Sequence, residues 1–93
     1  MGRIELEQFS LAEGVTAEGF RALDEAAQAW CYVHREGLVR RTTALGQDGG
    51  VLVVTILSGS APVPDAAPTG PIDLLAPAVA PATYRWASFV DLG

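Results

Sequence analysis

The chain has no lysine, no asparagine, one cysteine and one histidine, and all six of its prolines fall between Pro62 and Pro81. Each scarcity excludes something. With six arginines against eleven acids, for a formal charge of −5, there is no basic footprint for a phosphate backbone, and nucleic acid is excluded as a partner. Cys31 alone can form neither an internal disulfide nor a paired-thiol site, and it reads as a buried, inert thiol. One histidine supplies no spaced ligand set, so no metal is expected. No run approaches 18 consecutive apolar residues, and MGRIELEQF carries acids where a targeting leader would be basic and then apolar. The expectation is a cytoplasmic protein that makes no membrane contact.

Apolar residues, by contrast, are abundant: 49% of 93 residues, with a mean hydropathy of +0.26. One domain over residues 1–93 would bury only about 60 to 65% of the surface of its unfolded chain. The surplus of apolar residues points to a face hidden by a second copy.

The order of elements follows from periodicity. Residues 3–11 alternate, with Ile4, Leu6 and Gln8 on one side and Glu5, Glu7, Phe9 and Leu11 on the other. This suits a strand near a sheet edge, with both glutamates turned to solvent or to arginines of a neighbouring strand. Thr16 is placed to cap a helix over 16–34, whose stripe Phe20, Leu23, Ala27, Trp30 and His34 follows helical spacing, and Gly37 fits its left-handed stop. Residues 38–45 alternate as a second strand, GQDGG is a hairpin turn, and VLVVTIL at 51–57 is apolar on both faces and must be covered twice. Prolines make 59–81 a long loop in which only IDLLAPAVA supplies a short or broken second helix. The segment 82–92, ATYRWASFVDL, is the last strand, with Tyr84 and Trp86 on one face.

The order β-α-β-β-α-β is that of the α+β, ferredoxin-like split βαβ sandwich, a four-stranded antiparallel sheet with both helices on one face. The bare face, lined in part by the doubly apolar third strand, predicts a homodimer whose sheets meet face to face as an α/β barrel.

The stretches F-S-L-A-E-G-V-T-A-E-G-F at 9–20 and E-G-L-V-R-R-T-T-A-L-G-Q-D-G at 36–49, with the apolar strand after them, resemble the antibiotic biosynthesis monooxygenase-like proteins of the dimeric α/β-barrel superfamily. The resemblance covers residues 3–58. It implies the dimeric barrel and a pocket between helices and sheet. It also implies one of several fates, since the superfamily includes cofactor-free oxygenases of polycyclic phenols, haem-degrading enzymes and members with no known activity. Haem degradation is disfavoured because that branch relies on an asparagine, and Leu57 stands where the oxygenase branch often has a tryptophan.

Oxidation by molecular oxygen without metal or flavin needs a substrate that becomes an anion, and therefore a base and a donor to the developing charge. His34 with Arg41 or Arg85 is the candidate catalytic set, and Trp30, Tyr84 and Trp86 are the candidate ligand-binding rings. Each has a plainer employment: His34 as a helix-end cation, the arginines in ion pairs with Glu5 or Glu7, and the rings in the core or dimer interface. Arg40 and Arg41, adjacent on a strand, face opposite ways and cannot form one clamp. Two readings stay open: a cofactor-independent oxidase or monooxygenase of a small aromatic, ionisable metabolite, and a non-catalytic ligand-binding or structural dimer.

Overall fold

The computed structural model of the chain describes residues 2–64 and 66–93; Asp65, in the proline-rich loop, and Met1 lie outside the described residues. Its elements are β1 (Arg3–Ser10), α1 (Ala17–His34), β2 (Leu38–Leu45), β3 (Gly50–Leu57), α2 (Thr69–Leu75), a single 3-10 turn (Ala76–Ala78) and β4 (Arg85–Val90). The sheet runs β2-β3-β1-β4, antiparallel at every pairing, which is the ferredoxin-like arrangement expected from the element order.

Local chemistry explains the boundaries. The Thr16 hydroxyl accepts from the Gly19 N–H at 3.0 Å, satisfying one of the free donors of the first turn of α1. Its C-terminus closes with the Arg35 N–H on the Cys31 carbonyl, and Gly37 then turns the chain at φ +80°, where a Cβ would also meet Ala61. The GQDGG turn places Gly49 at φ +83° and holds the Gly50 N–H on the Asp48 carboxylate at 2.9 Å. The second helix departs from expectation: it starts at Thr69, three residues earlier than IDLLAPAVA, and takes Pro71 into its first turn. Proline is tolerated there because first-turn N–H groups have no partner inside the helix.

β1 also differs from the expected edge strand. It lies between β3 and β4, paired with β3 along its whole length and with β4 from Arg3 to Gln8. Its helix-side residues are Arg3, Glu5, Glu7 and Phe9, all buried, so the two glutamates are not solvated. The apolar core occupies one end of this helix–sheet seam, where Phe9, Val51 and Val53 of the sheet meet Phe20 and Ala27 of α1 and Leu75 and Ala78 of the second helical segment. At about 1.5–3 kcal/mol for each fully buried large apolar side chain, this cluster fixes the helices on the sheet. The stripe of α1 is rotated slightly from the expected one: Phe20, Ala27 and Cys31 are buried, while His34 is exposed.

The opposite face is uncovered, and strand pairing arranges it in cross-strand rows. One row is Arg40, Ile56, Ile4 and Phe89; the next Thr42, Val54, Leu6 and Ala87; the third Ala44, Leu52, Gln8 and Arg85. The centre of these rows is aliphatic except for Gln8, and their two charges, both arginines, sit at diagonal corners.

Candidate functional site

Below the apolar core, the helix–sheet seam is ionic. Glu5 of β1 takes both guanidinium nitrogens of Arg35, at 2.7 and 2.9 Å, and one from Arg3 at 3.3 Å; the Arg3 guanidinium also donates to the Pro62 carbonyl at 2.9 Å. This ties the end of α1 and the start of the proline-rich loop to the central strand. Burial pushes the Glu5 carboxyl up, but the hydrogen bonds and charges of Arg35 and Arg3 together outweigh it and hold the group below the ordinary carboxylate range. The same bond raises Arg35 above its ordinary value.

Two residues along β1, Glu7 has no such cation in contact among the described residues. It accepts from the Tyr84 hydroxyl at 2.7 Å, and burial lifts its carboxyl above the ordinary range, offset only in part by that hydrogen bond and by the more distant Arg41 charge. The partnership works the other way on tyrosine: burial and the Glu7 carboxylate push the Tyr84 hydroxyl far above its usual value. Tyr84 is positioned by stacking on Phe9, with ring centroids 6.2 Å apart, and by the turn at Ala82, whose φ of +63° directs the chain into β4. Trp86 stands opposite Glu7 in the β1–β4 ladder, and its indole N–H is buried without a partner among the described residues.

Tyr84 also belongs to the wall of a cleft of 340 Å³ between the second helical segment and the start of β4. The rest of the wall is Ile72, Leu75, Ala76, Val79, Ala80, Pro81 and Ala82, so Tyr84 is its one polar side chain among the described residues. An apolar cleft with one placed polar group beside a carboxyl of shifted pKa is the usual form of a small-molecule site. A larger depression of 640 Å³, bordered by Gln8, Ser10, Leu52 and Arg85, is a shallow part of the uncovered face.

The structure scatters the three residues expected to act together. Arg41 is buried on the helix side, donating to Asp24 at 2.9 Å and to Thr43 at 3.2 Å. Arg40 points to the other face, as the alternation requires. Arg85 is exposed on the uncovered face, where its guanidinium donates to the carbonyls of Ala82 and Tyr84. His34 ends α1 in the open with its ring 4.8 Å from that of Trp30, and Trp30 in turn lies against Gly70 of α2. Neither His34, Arg41 nor Arg85 lines the 340 Å³ cleft. Tyr84 and Trp86 are brought together, both on the helix side beside Glu7.

Glu5, Glu7, Arg3 and Arg35 were not among the expected site residues. The signal that could have found the glutamates is their parity with Phe9: strict alternation carries the burial of Phe9 to both acids.

No protein-family model matches the chain, and no curated protein matches it. Among solved structures it is similar to SnoaB, a cofactor-independent oxygenase from Streptomyces nogalater, at a TM-score of 0.70 and 17% sequence identity over 99% of this chain and 94% of that one. Identity this low speaks for the fold and leaves chemistry to the residues. The chain thus shares, over essentially its whole length, the ferredoxin-like fold of SnoaB, in agreement with the resemblance to antibiotic biosynthesis monooxygenase-like proteins.

Proposed function

We propose that the chain is a cytoplasmic, cofactor-independent oxidase or monooxygenase that takes a small, flat, ionisable aromatic metabolite into the cleft between the second helical segment and β4. The observation that carries this reading is the cleft itself: an apolar wall with Tyr84 as its one polar side chain among the described residues, backed by buried Glu7. The fold shared with a cofactor-independent oxygenase supports it. In such a reaction an activated methylene of the substrate loses a proton, the carbanion reduces and bonds to molecular oxygen, and the resulting hydroperoxide loses water. In sum, one methylene and one dioxygen become one ketone carbonyl and one water: the carbon is oxidised, one oxygen atom stays on it, and the other leaves with both methylene hydrogens. The protein's part is to hold the ring, accept the proton and exclude bulk water.

The working unit in this proposal is a homodimer joined through the uncovered sheet face. The aliphatic centre of Ile4, Leu6, Leu52, Val54 and Ile56 suits a second copy, and the corner arginines keep the rim polar. Native mass spectrometry then gives twice 9.7 kDa, and Leu6→Arg gives the monomer. Oxygen uptake with polycyclic phenols and their hydroaromatic ketones, in the presence of a chelator and without added flavin, tests the reaction. Absence of uptake with binding retained would favour the second reading, a ligand-binding dimer without catalysis. That reading is supported by His34 and Arg85 standing away from the cleft and by Arg41 being engaged with Asp24 and Thr43.

A further inference from the structure

We infer that the outer border of β4 docks a second copy of this chain, β4 against β4 and antiparallel about a two-fold axis through Ser88, so that the sheets of two chains continue into one. This seam goes beyond the sheet-face pair proposed above and uses a different surface.

The free backbone groups of β4 set the register. The Asp91 N–H donates to the Gly2 carbonyl at 2.9 Å, so Gly2 and Asp91 form a hydrogen-bonded pair that prolongs the β1–β4 ladder. Alternation then turns the N–H and C=O groups of Arg85, Ala87 and Phe89 toward β1, and those of Trp86, Ser88 and Val90 away from it, along an open edge. These three outward residues are centred on Ser88. When two copies meet about Ser88, it faces its own counterpart and Trp86 faces Val90, so every outward group of the three finds a partner. A register centred on Ala87 or Phe89 pairs only two of the three within β4.

The side chains agree with that register. Arg85 and Asp91 lie on the uncovered side of the sheet, equally far from Ser88, and neither makes a salt bridge among the described residues. Arg85 spends one guanidinium nitrogen on the carbonyls of Ala82 and Tyr84. About Ser88, Arg85 of each copy stands opposite Asp91 of the other in a non-hydrogen-bonded pair, where side chains approach most closely. On the helix side an aromatic ring, Trp86, meets a β-branched residue, Val90. One axis thus matches charge with charge and apolar with apolar. The strand also lacks the usual guards of an edge: RWASFV has no proline or lysine, its pairing with β1 is regular, and Ser88, Phe89 and Val90 are exposed. A seam of 6 residues is short and therefore weak, so it forms at high protein concentration and leaves the face pair as the unit at the dilution of mass spectrometry.

The test is Ser88→Cys in the otherwise unchanged chain, oxidised at high and at low protein concentration and read on a denaturing gel. Opposed residues of a hydrogen-bonded pair have Cα atoms about 5.5 Å apart, inside the range a disulfide spans. Cys31 is buried and does not compete. Ser88 stands opposite Glu5 on the helix side, so a pair joined through the uncovered face keeps the two Ser88 positions on its outer surfaces, apart from each other. The expected result is a cross-linked dimer whose yield rises with concentration, with little cross-linking in Ser60→Cys, an exposed position beyond β3. Adding Arg85→Glu lowers the yield about fivefold, and adding Asp91→Arg to that variant restores it. Val54→Arg, at the centre of the uncovered face, leaves the yield unchanged, so failure of the seam and failure of the face pair are read separately. Cross-linking no greater than in Ser60→Cys, a yield indifferent to Arg85→Glu, or a loss that Asp91→Arg does not restore overturns the seam. A yield that falls with Val54→Arg assigns the cross-link to the face pair and overturns it too.

Discussion

Glu5 is the most consequential single charge in the molecule. It is 2% exposed and serves as counter-ion to two arginines whose side chains are only 10 and 11% exposed. Glu5→Gln keeps the volume and removes the charge, leaving both cations in the seam without an anion in contact among the described residues. Removing one partner of a buried ion pair costs about 3–5 kcal/mol, and among the described residues Arg3 keeps its bond to the Pro62 carbonyl as relief. In a domain of this size each kcal/mol lowers Tm by about 4–8 °C, so the loss is about 12 °C or more. Urea unfolding of both forms across pH tests the cause as well as the size. Because the Glu5 carboxyl is held below its unfolded value of about 4.3, its contribution is fully present above that pH and is lost as pH falls through the folded value. The wild-type advantage is therefore wide at pH 7 and closes on acidification. A further variant, Arg3→Met with Glu5→Leu and Arg35→Met, removes the charges together and regains most of the loss. A gap under about 1 kcal/mol at pH 7, or one that stays constant into acid, would refute the ionic account of this seam.

Glu7 behaves oppositely. Its carboxyl is raised, so the native state holds the proton more tightly than the unfolded chain, and wild-type stability falls as pH rises from about 4.3 through the folded value. Glu7→Gln gains stability relative to wild type over that interval, measurable by urea titration at several pH values; a gain independent of pH would contradict the assignment. At Gly70 an added Cβ would overlap the six-membered ring of Trp30. Gly70→Ala is expected to cost about 1–3 kcal/mol by overpacking and to alter tryptophan fluorescence, whereas an unchanged Tm would show that α2 shifts freely.

The fold was legible because it is written in period and punctuation. Phe20 and Ala27 fall at helical spacing, Thr16 and Gly37 bound the helix, and GQDGG fixes a hairpin register. The second helix was only partly readable: a proline inside a helix's first turn looks the same in sequence as a proline that forbids one. The site was less legible still. His34 and Trp30 follow the apolar stripe by count, yet which edge of the stripe meets the sheet depends on how α1 rolls against it, and the roll placed Cys31 inward. The fate of Glu5 and Glu7 turned on whether β1 is central or marginal, a question of strand order that no local pattern answers. Long-range pairing joined Tyr84 to Glu7 across 77 positions. What could be read was that Tyr84 and Trp86 share a face.

The two margins of the sheet are not alike. Near the end of α1, the hydroxyl of Tyr32 accepts the Arg41 N–H at 3.4 Å, occupying a backbone donor on the free side of β2, and the pairing of β2 is irregular between Leu38 and Arg40. β4, at the other margin, is exposed along most of its length, with Phe89 and Val90 in the open. Lengthwise growth of a β-ribbon requires both borders of every unit to be receptive. With one donor of β2 occupied and its pairing irregular at one end, the β4 border is the more regular line along which a neighbouring strand would add, and growth through both borders is disfavoured.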